Sequence, residues 1–182
     1  MGGTLQVAGC QVIQQAAYHF MFTTDPATAA ARIGTVNHEV QQLPTLVLDT
    51  NVVLDWLVFR DASSQLLQSR VGSGSVRWLA SDAMRAELTH VLARGAVDDW
   101  SPDREAVWSA WQCHAVLLPD PPPSAAAQLR CTDPDDQKFI DFALVHRARW
   151  LLSRDRAVLK LRKRAAVRGL FILTPEAWSR TV

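Results

Sequence analysis

Residues 45–49 read TLVLD and residues 50–57 continue TNVVLDWL. A short apolar run closed by an acid is the pattern of a strand buried on both faces of a parallel sheet. The stretch after Asp49 has the spacing of a helix reaching to about Phe59. In an open parallel sheet, ligands bind outside the carboxyl ends of the strands, so Asp49 stands where a site would be.

Outward from this stretch, strand and helix alternate. A second helical stretch is expected at 61–70, and Gly72 and Gly74 break the chain before a strand at 76–80. Ser81 caps a helix over 82–93, ended by Gly95, and Ser101-Pro102 opens another, with Ser at the N-cap and Pro at the first helical position. A third strand, 115–118, runs into a Pro-rich loop at 119–123. Asp133-Pro134 starts a helix over about 135–148, followed by a strand at 150–153. A basic helix at 156–166 leads past Gly169 to a strand at 170–173, and Thr174-Pro175-Glu176 caps a last short helix. Regular alternation argues for an α/β fold with a parallel sheet covered on both faces.

Residues 1–43 read differently and are expected to form an N-terminal extension outside a main domain at 44–182. No Asp, Glu, Lys or Arg precedes Asp25, so the positive start of a secretory signal is missing. A short helix at 26–33 is the one element expected there. The 182 residues, 48% hydrophobic and 20% charged, suit one substantial core. No run reaches the ~18 apolar residues of a membrane span. Three cysteines without a CxxC pair argue against a zinc ribbon or disulfide framework and fit a reducing cytoplasm.

The net charge of +1 conceals an asymmetry. Residues 1–136 hold 8 basic and 15 acidic side chains, whereas residues 137–182 hold 11 and 3. An acidic centre beside a basic C-terminal third suits a protein that gathers metal ions in one place and phosphates in another, although solvated Arg-rich helix faces would give the same count.

Four acids stand out. Asp49 and Asp155 follow the first and fourth strands. Glu87 lies three residues from Met84 and four from Val91, partly on the apolar face of its helix. It either awaits a cation or pairs with Arg85 or Arg94. Asp136 heads the stripe Phe139, Ile140, Ala143 and Leu144, yet Asp133, Pro134 and Asp136 would also suit N-cap, N1 and N3 of an acidic helix start. Asp135 is worse placed. Asp141 is expected to be solvated, and Asp55 has no evident role. Converging carboxylates, without Cys or His, select Mg2+ or Mn2+ over zinc, and beside a basic helix they suit phosphodiester hydrolysis.

Together LVLDTNVVLDWL at 46–57, Glu87 in AELTHVL, DPDDQKFIDFAL at 133–144, LLSRDRAVL at 151–159 and LTPEAW at 173–178 resemble the PIN-domain ribonucleases. The nearest resemblance is to toxin components of toxin–antitoxin pairs, VapC-like in the broad sense. It spans about 45–179 and implies a three-layer α/β/α fold whose parallel sheet of about five strands runs 3-2-1-4-5, setting the strands that end in Asp49 and Asp155 side by side. By position it makes Asp49, Glu87, Asp136 and Asp155 the metal-binding acids and Asn51 the polar residue that orients the site. It further implies RNA as substrate, a small antitoxin partner and a possible homodimer.

Arg154 stands where many relatives have Gly, and Ala157 where many have a further Asp. Arg154 could contact the RNA phosphate, and with Arg156 and Lys160 it forms the candidate RNA-binding set. Arg156, Lys160 and Lys163 share one helical face, with Arg162 elsewhere. The alternative is a PIN-fold module, weak or inactive in catalysis, that binds RNA or an antitoxin. Rival chemistries lack their motifs: the five histidines show no HExxH, Gly72-Ser73-Gly74-Ser75 lacks the Lys of a phosphate loop, and neither GxSxG nor DxDxT is present.

Overall fold

The computed structural model describes residues 43–122 and 129–182. The expected N-terminal extension, apart from Leu43, and the helix at 26–33 lie outside the described residues, as does the last residue of the Pro-rich loop. Five parallel strands form one sheet: β1 (Thr45–Leu48), β2 (Arg77–Ala80), β3 (Ala115–Leu117), β4 (Trp150–Leu152) and β5 (Phe171–Leu173). Their order is β3-β2-β1-β4-β5, as the resemblance implies. The central strands are buried beyond their first residues, Thr45 and Arg77, while Val116, Leu117 and Phe171 on the two edge strands are exposed.

The helices are α1 (Thr50–Leu57), α2 (Gln65–Gly72), α3 (Asp82–Ala93), α4 (Arg104–His114), α5 (Gln137–Val145), α6 (Arg156–Lys160), α7 (Arg162–Ala166) and α8 (Pro175–Ser179). Leu46 is in register with Trp78 on one side and Trp150 on the other, so these side chains share a sheet face. Trp78 meets Trp56 of α1 and Trp111 of α4 at centroid distances of 5.7 and 4.8 Å, and Trp150 meets Trp178 of α8 at 5.8 Å. The high tryptophan content thus goes largely into one helix–sheet layer. Right-handed crossovers run one way through β2 and β3 and the other way through β4 and β5, which sends α5 to the opposite face, where it packs on β1 and β4. The order reverses between β1 and β4, and α3 touches both α1 and α5 beside that reversal.

Three helix starts differ from the sequence reading. Helix α4 begins at Arg104, and its cap is Asp103, whose side chain accepts from the Ala106 N–H at 2.9 Å. Ser101 ends a preceding 3-10 turn (Asp98–Trp100) with φ +45°, a left-handed conformation that cannot open a helix. Helix α5 begins at Gln137, later than expected, because Asp133 spends its carboxylate on the Asp135 N–H at 2.9 Å and the chain continues in i−3 turns. The basic helix breaks at Leu161 into α6 and α7.

Asp141, expected to be solvated, is only 7% exposed. Gln137 donates to it at 2.7 Å and to the Leu129 carbonyl at 3.1 Å while accepting from the Cys131 N–H at 2.7 Å, so the segment before α5 is folded over this carboxylate. Helical periodicity carries no record of such a cover.

The two candidate caps of α4 are separable by experiment. Asp103→Ala should lower the unfolding free energy by about 1 kcal/mol in urea titrations, and Ser101→Ala by well under half of that.

Candidate active site at the carboxyl ends of the central strands

Asp49 leaves β1 by extending the ladder, its N–H donating to the Leu152 carbonyl at 3.0 Å, and its own carbonyl receives the first N–H groups of α1. It occupies the N-cap position, but its side chain caps nothing. The Oδ2 atom instead accepts from Ser153 Oγ at 2.5 Å and from Asn51 Nδ2 at 2.7 Å. Ser153 is fully buried and in turn accepts from the Asp155 N–H at 2.9 Å, while Asn51 Oδ1 accepts from the Arg154 N–H at 3.0 Å. The turn after β1 and the turn after β4 are therefore stitched together by two polar side chains, and both converge on Asp49.

Asp155 caps α6, its Oδ1 accepting from the Ala157 and Val158 N–H groups at 2.5 and 3.2 Å. Asp136 immediately precedes α5. Glu87 projects from α3 and pairs with Lys138 of α5, rather than with the expected Arg85 or Arg94; the Lys138 ammonium also reaches the Asp135 carbonyl. Arg85 lies over Trp108 instead.

The electrostatics bind these acids into one group. Burial pushes the Asp49 carboxyl up, against the pull of Ser153 and Asn51, and the Glu87 charge pushes it further. Asp136 is pushed up to about 7, first by partial burial and then by Asp49, Asp155, Asp133 and Glu87. Asp136 thus lies in the field of the other three acids singled out in the sequence, and Asp49 in that of Glu87. They are not closed into a ligand set, however: among the described residues no three Asp, Glu, His or Cys side chains come together as a metal-binding group. The expected convergence on one ion is a shared field with a lysine standing on one member. The donor chemistry, all hard oxygens, fits Mg2+ or Mn2+.

Arg154, expected at the RNA phosphate, turns its guanidinium toward acids. Its Nε pairs with Asp55, and its Nη2 meets Glu176 at 2.8 Å, Ser63 at 2.8 Å and Asp61 at 3.7 Å. Asp55, which the sequence left without a role, is nearly buried, and burial pushes its carboxyl up against the pull of Arg154. Arg154 thereby ties the β4–α6 turn to α1, to the loop after it and to α8. Arg156 and Lys160 are exposed to solvent. With Leu159, Arg162 and Lys163 they line an open depression of about 350 Å³, which Arg162 joins because the helix breaks before it.

The PIN-domain family profile matches residues 45–157. This chain belongs to the PIN-domain family. The match covers Asp49, Asn51, Glu87, Asp136 and Asp155 and ends inside α6, before α7, β5 and α8. Among solved structures, a chain of VapBC2 from Rickettsia felis, determined bound to a DNA fragment from its promoter, shares the fold of this PIN domain. The similarity is 12% identity with a TM-score of 0.50, over 70% of this chain and 96% of that one. No curated protein matches the chain. No helix among the described residues is long and apolar enough to cross a membrane.

Contact with Asp49 makes Ser153 part of the site. The sequence shows it only as the first letter of an SxD pattern, and its role needs β1 and β4 to be neighbours. The raised carboxyls predict a pH response. Between its ordinary value and about 7, folded Asp136 keeps a proton that the unfolded chain has released, so stability falls as pH rises through this window. Asp49 acts in the same direction. In EDTA, the Tm should decline from about pH 5 to about pH 7.5, and Asp136→Asn should flatten the decline.

Proposed function

We propose that this PIN domain is a metal-dependent endoribonuclease, hydrolysing RNA phosphodiester bonds with Mg2+ or Mn2+. The observation that carries this reading is the group of carboxylates at the reversal of strand order, with Asp136 pushed up to about 7 first by burial and then by the charges of Asp49, Asp155, Asp133 and Glu87. PIN domains are generally nucleases. Asp49, Glu87, Asp136 and Asp155 would hold the cation, which supplies a more acidic bound water and a polarised phosphate. Asn51 and Ser153 orient the Asp49 carboxylate, one oxygen of which they hold by two hydrogen bonds. Asp136, pushed up to about 7 by burial and by its acidic neighbours, would have to be ionised to hold the cation. The depression lined by Arg156 and Lys160 offers the RNA backbone a cationic track beside Asp155.

The same reading makes the protein the toxin of a toxin–antitoxin pair, with a small antitoxin partner, possible self-association and action in the cytoplasm. The VapBC2 likeness and the motif resemblance support it. Residues 1–43 stand outside the catalytic unit at 44–182. A second reading, a module that binds RNA or an antitoxin with little catalysis, is favoured by one observation: Lys138 holds Glu87.

Incubation with labelled single-stranded and structured RNA decides between them. Cleavage should require Mg2+ or Mn2+ and stop in EDTA. Asp49→Asn and Asp155→Asn should each lose more than about 100-fold, and Ser153→Ala about 10- to 100-fold, the range for residues that orient a ligand. Cleavage indifferent to EDTA and to both aspartate substitutions rejects the enzyme; RNA retention without cleavage makes the binding module the function.

A further inference from the structure

Lys138 is placed against a local rule. It is the second residue of α5, a nine-residue helix, where the positive end of the helix dipole disfavours a cation. Its ammonium is nevertheless held on three sides: by Glu87 of α3, by the Asp135 carbonyl and by the Phe139 ring, whose centroid lies 5.1 Å away. Both members of the Lys138–Glu87 pair are about one-quarter exposed, so the ammonium is neither sealed in nor free in solvent. Glu87 is also one of the acids whose charge reaches Asp49 and Asp136. The one cation in direct contact with the quartet among the ion pairs of the described residues is therefore this lysine. Local rules broken at a site, with compensation from a neighbouring element, mark function more often than defect.

We propose that Lys138 is the resident counter-ion of Glu87, leaving that carboxylate when a divalent cation binds and then contacting the RNA phosphate. The inference rests on the ribonuclease reading and assigns a substrate-contacting role to a residue outside the acidic quartet. While the metal is absent, the ammonium offsets the repulsion that four carboxylates would otherwise exert. A divalent ion held at Glu87 would bring more charge to the same carboxylate, so the two compete. The displaced ammonium carries a flexible four-carbon stem rooted beside Asp136 and has three donors for a phosphate oxygen. Binding of metal and binding of RNA are coupled through a single side chain, since the ammonium serves the carboxylate or the phosphate but not both.

A double-mutant cycle on Mn2+ affinity, measured by titration calorimetry with wild type, Lys138→Met, Glu87→Gln and the double variant, tests the competition. Lys138→Met, which keeps the stem and removes the charge, should tighten Mn2+ binding about three- to fivefold, and that gain should vanish in the Glu87→Gln background. Lys138→Gln should behave like Lys138→Met, and thermal melts establish that each variant is folded. At saturating Mn2+, Lys138→Met should raise the KM for RNA about fivefold or more, with a smaller change in kcat.

Unchanged or weaker Mn2+ binding by folded Lys138 variants overturns the counter-ion role, as does an equal gain with and without Glu87, which would reflect general charge. An unchanged KM overturns the phosphate contact. If wild type still cleaves RNA in Mn2+, those results leave the ribonuclease reading standing. If wild type neither binds Mn2+ nor cleaves RNA, both fall together.

Discussion

The hydrogen bond from Ser153 to Asp49 is the contact on which the arrangement of the site depends. It joins residues 104 positions apart and lies at the point where the order of the sheet reverses. A carboxylate only 3% exposed is costly to keep ionised, and the hydroxyl of Ser153 and the amide of Asn51 offset part of that cost. Because Ser153 also receives the Asp155 N–H, the same hydroxyl sets the position of the second acid relative to the first. Two strands pairing in register are thereby converted into two carboxylates with a defined relation.

Around that contact the charges are arranged in two rings of different character. The inner acids are Asp49, Asp136, Asp155 and Glu87, and the carboxyl of Asp136 rises to about 7 through burial first and then through the charges of its acidic neighbours. The outer acids, Asp55, Asp61 and Glu176, are gathered by one guanidinium, that of Arg154. The Arg154 backbone N–H binds Asn51 while its side chain holds the surrounding elements, so the residue stiffens the turn carrying Ser153 and Asp155. A glycine at this position would lack that anchor. Here the anchor is supplied by charge, and the arginine is structural where the sequence alone had suggested a phosphate contact.

Much of this was legible in the sequence, because it rests on local patterning. Short apolar runs closed by acids mark buried parallel strands, and Ser81 and Thr174 cap their helices as expected, accepting from Met84 and Ala177. What local pattern missed was decided by contacts between distant segments. Asp141 and Gln137 lie on one helix face and read as solvated, but the strip Leu129–Cys131 covers them. Asp55 looked idle until the fold brought Arg154 to it from 99 residues along the chain. The start of α5 moved because Asp133 bonded its own chain in a turn, a competition that the motif alone does not settle.

The sequence by itself determined the class of fold and the order of elements, since hydrophobic period is a property of residues and spacing. Tertiary structure alone decided which groups meet those acids: Ser153 on Asp49, Lys138 on Glu87, Arg154 on Asp55. The physical reason is that burial and Coulomb interactions depend on distance in space. That distance is set by how strands pair and helices pack, not by separation along the chain.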